Sequence, residues 1–162
     1  MVSKLDKRTI TACFTGHREI RESVSVLFEK VCDMTEGMIH KGYRYFLTGG
    51  ARGFDALAAK AVLHLQEKYT DIHLILVLPF QNQYERERGW SAEEVEEYHF
   101  LKNSASKVLH LQTAYSSGCY YRRDRYLVEH SSVCMAYQYK STGGTAYTTN
   151  YARQSGINVL NM

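Results

Sequence analysis

The stretch Tyr43-Arg44-Tyr45-Phe46-Leu47-Thr48-Gly49-Gly50-Ala51-Arg52-Gly53-Phe54-Asp55 decides how this chain folds. Its first half is an aromatic, apolar run of strand character that stops at Thr48. Glycines at 49, 50 and 53 then make a turn, and Leu57, Ala58, Ala61, Val62 and Leu65 follow at helical spacing. Strand, glycine turn and helix in that order form the repeating unit of a parallel α/β sheet. The same order recurs on either side. Ile10 to Phe14 leads into Thr15-Gly16-His17-Arg18, and Val133 to Tyr137 leads into Thr142-Gly143-Gly144-Thr145. Each of the three turns is read as the entry to a helix.

The remaining sequence fits between these anchors. Ile20, Val24, Leu27, Phe28, Val31 and Met38 predict one long amphipathic helix. Leu74 to Leu78 is a continuous apolar run, as in strands buried on both faces, and it stops at Pro79. Gln81 to Trp90 reads as a polar loop. Ser91 and Glu94 then have the spacing of a capping box, in which side chains at 91 and 94 satisfy each other's backbone N–H groups. Val95, Tyr98 and Leu101 stripe the helix that follows. A fourth strand is expected over 108–111, a helix over 120–131, a fifth strand over 133–139, a helix over 145–154 and a last strand over 157–160. The expected fold is a Rossmann-like parallel sheet with helices on both faces, a single domain over 1–162.

The bulk composition agrees. A chain of 162 residues, 44% hydrophobic, buries a core without disulfides or metals. Its formal net charge of +3 leaves no polyanion-binding footprint, which disfavours nucleic acid as a partner. The four cysteines, Cys13, Cys32, Cys119 and Cys134, lack metal or redox spacing and read as reduced, structural thiols. No metal and no cofactor are expected. Met1 to Lys7 is charged and lacks an apolar leader core, and no apolar stretch approaches about 18 residues, so a cytoplasmic chain without a membrane span is expected.

In open parallel sheets ligands bind outside the carboxyl ends of the strands, where all three glycine turns fall. Glycine lets the backbone approach an anion, and a helix N-terminus favours negative charge. The candidate ligand contacts are therefore Thr15, Gly16, His17 and Arg18 from the first turn, Gly49, Gly50, Ala51, Gly53 and Asp55 from the second, and Gly143, Gly144, Thr145 and Thr148 from the third. Arg122 and Arg123 offer guanidinium forks, Arg123 the better placed of the two. Phe80, like Trp90, stands beside the polar loop, either to stack on a ligand or to pin the loop. Asp55 either caps its helix or accepts from a sugar hydroxyl. His17, Asp55 and Asp124 are the candidate acid/base groups. Arg52 reads as a solvated charge. Among 13 tyrosines, Tyr120, Tyr121, Tyr137, Tyr139 and Tyr147 flank the expected crevice.

In this order, Phe14-Thr15-Gly16-His17-Arg18, the 48–55 turn, Tyr121-Arg122-Arg123-Asp124-Arg125 and Gly143-Gly144-Thr145 resemble the SLOG superfamily, which joins the Smf DNA-processing proteins to the Lonely Guy phosphoribohydrolases. The likeness is strongest to its small YpsA/YoqJ-type members and covers nearly the whole chain. It implies a Rossmann-like fold that binds a nucleotide or nucleotide derivative, and pairing into homodimers. One position departs from the pattern. The phosphoribohydrolases read Gly-Gly-x-Gly-Thr-x-x-Glu, and their catalytic Glu falls here on Thr148. A binder, acting as a sensor or sequestering protein for a nucleotide or NAD-derived signal, is the first expectation. A hydrolase of N-glycosidic or phosphate bonds is the alternative, and single-stranded DNA binding is the least favoured.

Overall fold

In a computed structural model, which describes residues 4–162, the chain forms one six-stranded sheet with helices on both faces. The strands are β1 (Thr11–Gly16), β2 (Tyr45–Thr48), β3 (His73–Leu78), β4 (Lys107–His110), β5 (Val133–Tyr137) and β6 (Asn158–Asn161). All five pairings are parallel, in the order β4-β3-β2-β1-β5-β6. The helices are α1 (Lys4–Thr9), α2 (Val24–His40), α3 (Phe54–Gln66), α4 (Ala92–Ser104), α5 (Cys119–Glu129) and α6 (Gly144–Gln154).

Strand alternation sorts the side chains into two cores. Ala12, Phe14, Phe46, Leu74, Leu76, Leu78 and Met135 point to one face and pack under α2, α3 and α4. Cys13, Leu47, Val77 and Cys134 point to the other face, toward Leu127 and Val128 of α5 and Ala152 of α6. The chain runs outward from β1 to β4, crosses back to β5 beside β1, then runs out to β6. The carboxyl ends of β1 and β5 therefore flank the point where strand order reverses, the place where such sheets open a crevice.

The expected elements form, with shifts at their ends. Ser91 and Glu94 make the capping box, Ser91 Oγ accepting from Glu94 N–H at 3.1 Å and Glu94 Oε1 from Ser91 N–H at 2.9 Å. The polar loop carries a 3-10 turn at Gln83–Glu85. The first glycine turn differs from expectation: β1 runs through Gly16, and α2 starts only at Val24 behind its cap Ser23, so Ile20 lies outside the helix. A Cβ at Gly16 would enter the Phe54 ring, and this is why glycine sits there. The first two turns are locked to each other by Phe54 N–H donating to the His17 carbonyl at 3.2 Å. Among the described residues no helix is long and apolar enough to cross a membrane.

Candidate functional site

The carboxyl ends of the strands frame a half-open cleft of about 690 Å³. Of the residues singled out from the sequence, Thr15, Gly16, His17, Arg18, Ala51, Asp55, Arg123, Asp124, Gly144 and Thr145 line it. Gly49, Gly50, Gly53, Gly143, Phe80, Arg122 and Thr148 do not reach its wall. Arg122 turns to Gln112 Oε1 at 3.3 Å. Phe80 is buried behind two lining tyrosines, meeting the Tyr115 and Tyr120 rings edge-on. Thr148 is fully buried, its hydroxyl 2.9 Å from the Gly144 carbonyl and within reach of the Asp124 carboxylate.

The second and third turns differ in chemistry. At the second, Asp55 lies in the first turn of α3 and its Oδ2 accepts from Ala51 N–H at 3.1 Å, while Gly50 N–H points to Thr48 Oγ1 at 3.4 Å. A carboxylate thus already occupies that helix start. At the third, Gly143 precedes α6 with φ of 94°, no side chain caps the helix and its first turn holds no acid. A Cβ added at Gly144 would meet only Asp124 Oδ2, at 3.9 Å. The N-terminus of α6 therefore presents backbone donors to the cleft.

Between these turns lies a buried charged triad. Arg123 donates from Nε to Asp124 Oδ1 at 2.9 Å and from Nη1 to the Gly49 carbonyl, and its field acts on Asp55. The fork expected to grip an anion is engaged inside the protein instead. Burial pushes the Asp55 carboxyl up to about 6, outweighing the pull of Arg123 and the Ala51 N–H. Asp124 is also pushed up by burial, despite its pairing with Arg123. Burial would lower the Arg123 guanidinium, but Asp124 and Asp55 outweigh that effect and hold it up. His17 is shifted down by burial and by Lys140 and Arg21, and its Nε2 accepts from Tyr139 N–H at 3.1 Å. It is a neutral pin between the ends of β1 and β5 rather than a free base.

A raised Asp55 makes stability depend on pH. The fold favours its protonated form, so this group's contribution is full below 3.8 and is lost as pH rises through about 6. In Asp55→Asn the contribution no longer titrates. The melting temperature of the variant minus that of the wild type should climb between pH 4 and 6.5 and level off above. A difference that stays flat over that range would contradict the burial argument.

Sequence reasoning missed several contributors. Arg52, read as solvated, lines the cleft, as do Lys140 and Glu19, and reaches Glu94 at 4.0 Å. Glu87 of the polar loop is nearly buried, with Oε1 accepting from Trp90 Nε1 at 2.8 Å and Oε2 lying 3.4 Å from Arg18 Nη2. It orients Arg18 at the cleft mouth and helps hold the Tyr120 hydroxyl protonated. The loop at 115–118 supplies Tyr115 and Gly118. Nothing in the local pattern marked Glu87 or Tyr115, since their roles come from loop docking. No group of three or more candidate metal ligands occurs among the described residues.

A doubly wound parallel sheet with a cleft at the strand-order reversal is a Rossmann-like α/β architecture. The model of the YspA SLOG family matches residues 14–158, and the chain belongs to that family. It is 28% identical over 142 residues to YoqJ, an uncharacterized SPbeta prophage-derived protein of Bacillus subtilis (strain 168), covering 80% of this chain and 81% of that one. Its fold is similar to DNA processing protein A of Streptococcus pneumoniae, with a TM-score of 0.66 at 15% identity; the match covers 96% of this chain but only 50% of that one. A DNA processing protein A from Helicobacter pylori, solved for its single-stranded DNA binding mode, matches with a TM-score of 0.65 at 14% identity over 98% of this chain and 66% of that one.

Proposed function

We propose that the cleft binds a nucleotide or nucleotide-derived small molecule, with a phosphate on the α6 N-terminus and the sugar toward Asp55. The observation that carries this reading is the contrast between the two helix starts: α3 is filled by its own carboxylate, whereas α6 has neither cap nor acid. Asp124 stands beside the α6 start, but its charge is met by Arg123, while Arg18, Arg52 and Lys140 add cations around the cleft. The free lone pairs of Asp55 suit ribose hydroxyls. Guanidiniums cover the rings of Tyr139 and Tyr115, at 4.1 and 3.5 Å, so Tyr120 is the lining tyrosine that supplies a face for a base. Incubation with a nucleotide library followed by mass spectrometry of retained and released species tests it. Retained intact ligand supports a sensor or sequestering role; no retained species contradicts binding.

One observation favours the hydrolase reading. The carboxylate absent at 148 on α6 is replaced in space by Asp124 on α5, which lies against Thr148. Its engagement by Arg123 argues against a free base, so the binder reading stands first, and released free base in the same assay reverses that order. For single-stranded DNA, which the Helicobacter pylori protein binds, the cleft offers only scattered cations and no continuous basic track.

The family likeness and the tyrosines also support a homodimer. Tyr121, Tyr147 and Tyr151 form one surface patch across α5 and α6, with the first two ring centroids 4.4 Å apart and the last two 6.4 Å apart. Tyr121 is 49% exposed. Light scattering at micromolar concentration should give twice the monomer mass, reverting to one in Tyr121→Glu; a monomeric wild type contradicts it.

A further inference from the structure

Away from the cleft, the sheet face under α5 and α6 is only half covered. The two helices pack over β1, β5 and β6, and α5 also reaches Leu47 of β2 and Val77 of β3, but the amino-terminal parts of β2, β3 and β4 lie open beside it on this side. The uncovered strip is a groove of about 670 Å³. Its floor is Tyr45 and Leu47 on β2, Ile75 on β3 opposite Leu47, and Leu109 on β4 two residues beyond Ile75's partner Lys107, all but Leu47 half-exposed. Two aromatic stacks stand in it. Tyr45 lies on His73 with centroids 5.2 Å apart, and Tyr126 on His130 at 3.7 Å. Lys7 and Arg8 of α1 and Lys107 of β4 line its edges. They face one carboxylate, Glu129, which is itself held by the Tyr151 hydroxyl at 2.5 Å.

We infer that this groove is a docking site for an acidic amphipathic helix of a partner protein. Sheets of this kind are buried on both faces by helices, and among the described residues the open part of this strip carries none. From β2 to β4 is two strand spacings, about 10 Å, the diameter of a helix with its side chains. An apolar stripe at i, i+3, i+4 and i+7 would cover the Leu47–Ile75–Leu109 floor between the aromatic stacks. The flanks of that helix would meet Lys7, Arg8 and Lys107, so acidic residues complement them. The same cations argue against a second copy of this chain, because a symmetric face-to-face pair would bring them together.

The test uses a designed, lactam-stapled helical peptide of about 18 residues with a Leu/Ile stripe and Glu flanks, beside a Lys-flanked peptide with the same stripe. Fluorescence anisotropy with the full chain should show saturable binding of the Glu peptide and at least tenfold weaker binding of the Lys peptide. The exposed-charge variant Lys7→Glu/Lys107→Glu should reverse that preference by about tenfold each way, and Ile75→Lys should abolish both. Circular dichroism confirms that each variant is folded, and amide shifts in 45–47, 73–75 and 107–109 locate the contact. Equal binding of both peptides, no binding, or shifts confined to the cleft overturns the proposal. So does saturable binding of decanoate with neither peptide, which makes the groove a small-molecule site, and so does a dimer broken by Ile75→Lys, which makes it self-contact.

Discussion

Arg123→Met should destabilise the protein by about 3–5 kcal/mol at pH 7.5, the range for breaking a buried ion pair by removing one partner. Methionine roughly fills the volume, so the loss is electrostatic rather than a cavity. Arg123 is only 6% exposed and its guanidinium holds Asp124, the Gly49 carbonyl and the field on Asp55 together. Without it, two buried carboxylates stand near each other with no cation between them. They respond by protonating, so the penalty must shrink as pH falls. Urea denaturation at pH 7.5 and 5.5 measures this: the variant's deficit should be clearly smaller at the lower pH. An equal deficit at both, or none, would mean that Arg123 does not hold the triad.

Gly144→Val should leave the fold nearly unchanged and lower affinity for the cleft's ligand by about two decades, or ~3 kcal/mol. The glycine has an ordinary helical backbone, and a Cβ there meets only Asp124 Oδ2 at 3.9 Å. The side chain would instead occupy the space that a phosphate needs to reach the N–H groups of Gly144 and Thr145. Gly53→Val makes an informative contrast. Gly53 has φ of 81° and its Cβ would run into the Arg18 carbonyl, so that substitution disrupts the turn itself. Calorimetric titration of Gly144→Val with the retained ligand, alongside its melting curve, distinguishes the two kinds of loss. Wild-type affinity in a folded Gly144→Val places the phosphate elsewhere.

The fold was legible because strand, glycine turn and helix punctuate the chain in a fixed rhythm. Runs such as Leu74–Leu78 admit one reading, and Ser91 and Glu94 announce a helix start. The first turn was misread because Gly16 looks like a turn residue, whereas it is a strand residue that leaves room for the Phe54 ring. That depends on a contact 38 positions away, which no local pattern carries. The site was legible as a set of turns but not as a set of free donors. Spacing cannot say that Asp55 folds back on Ala51, or that Arg123 turns inward to Gly49 and Asp124. Thr148, read as a ligand contact, is buried against the Gly144 carbonyl, and the Asp124 carboxylate of the neighbouring helix lies against it, an arrangement visible only in space. Likewise Ile75, in the run read as buried on both faces, is half-exposed, because the sequence reveals which face a strand residue takes and not whether a helix covers it.

The proposed site stands or falls on whether the α6 N-terminus receives an anionic group of a nucleotide-type ligand. Amide NMR of the isotope-labelled protein, titrated with a panel of nucleoside mono- and diphosphates, tests it most directly. At least one member of the panel should shift the Gly144 and Thr145 resonances saturably, with smaller changes at Ala51 and His17. Resonances of Gly144 and Thr145 that stay fixed while a panel member saturates the protein elsewhere, or across the whole panel, would contradict it.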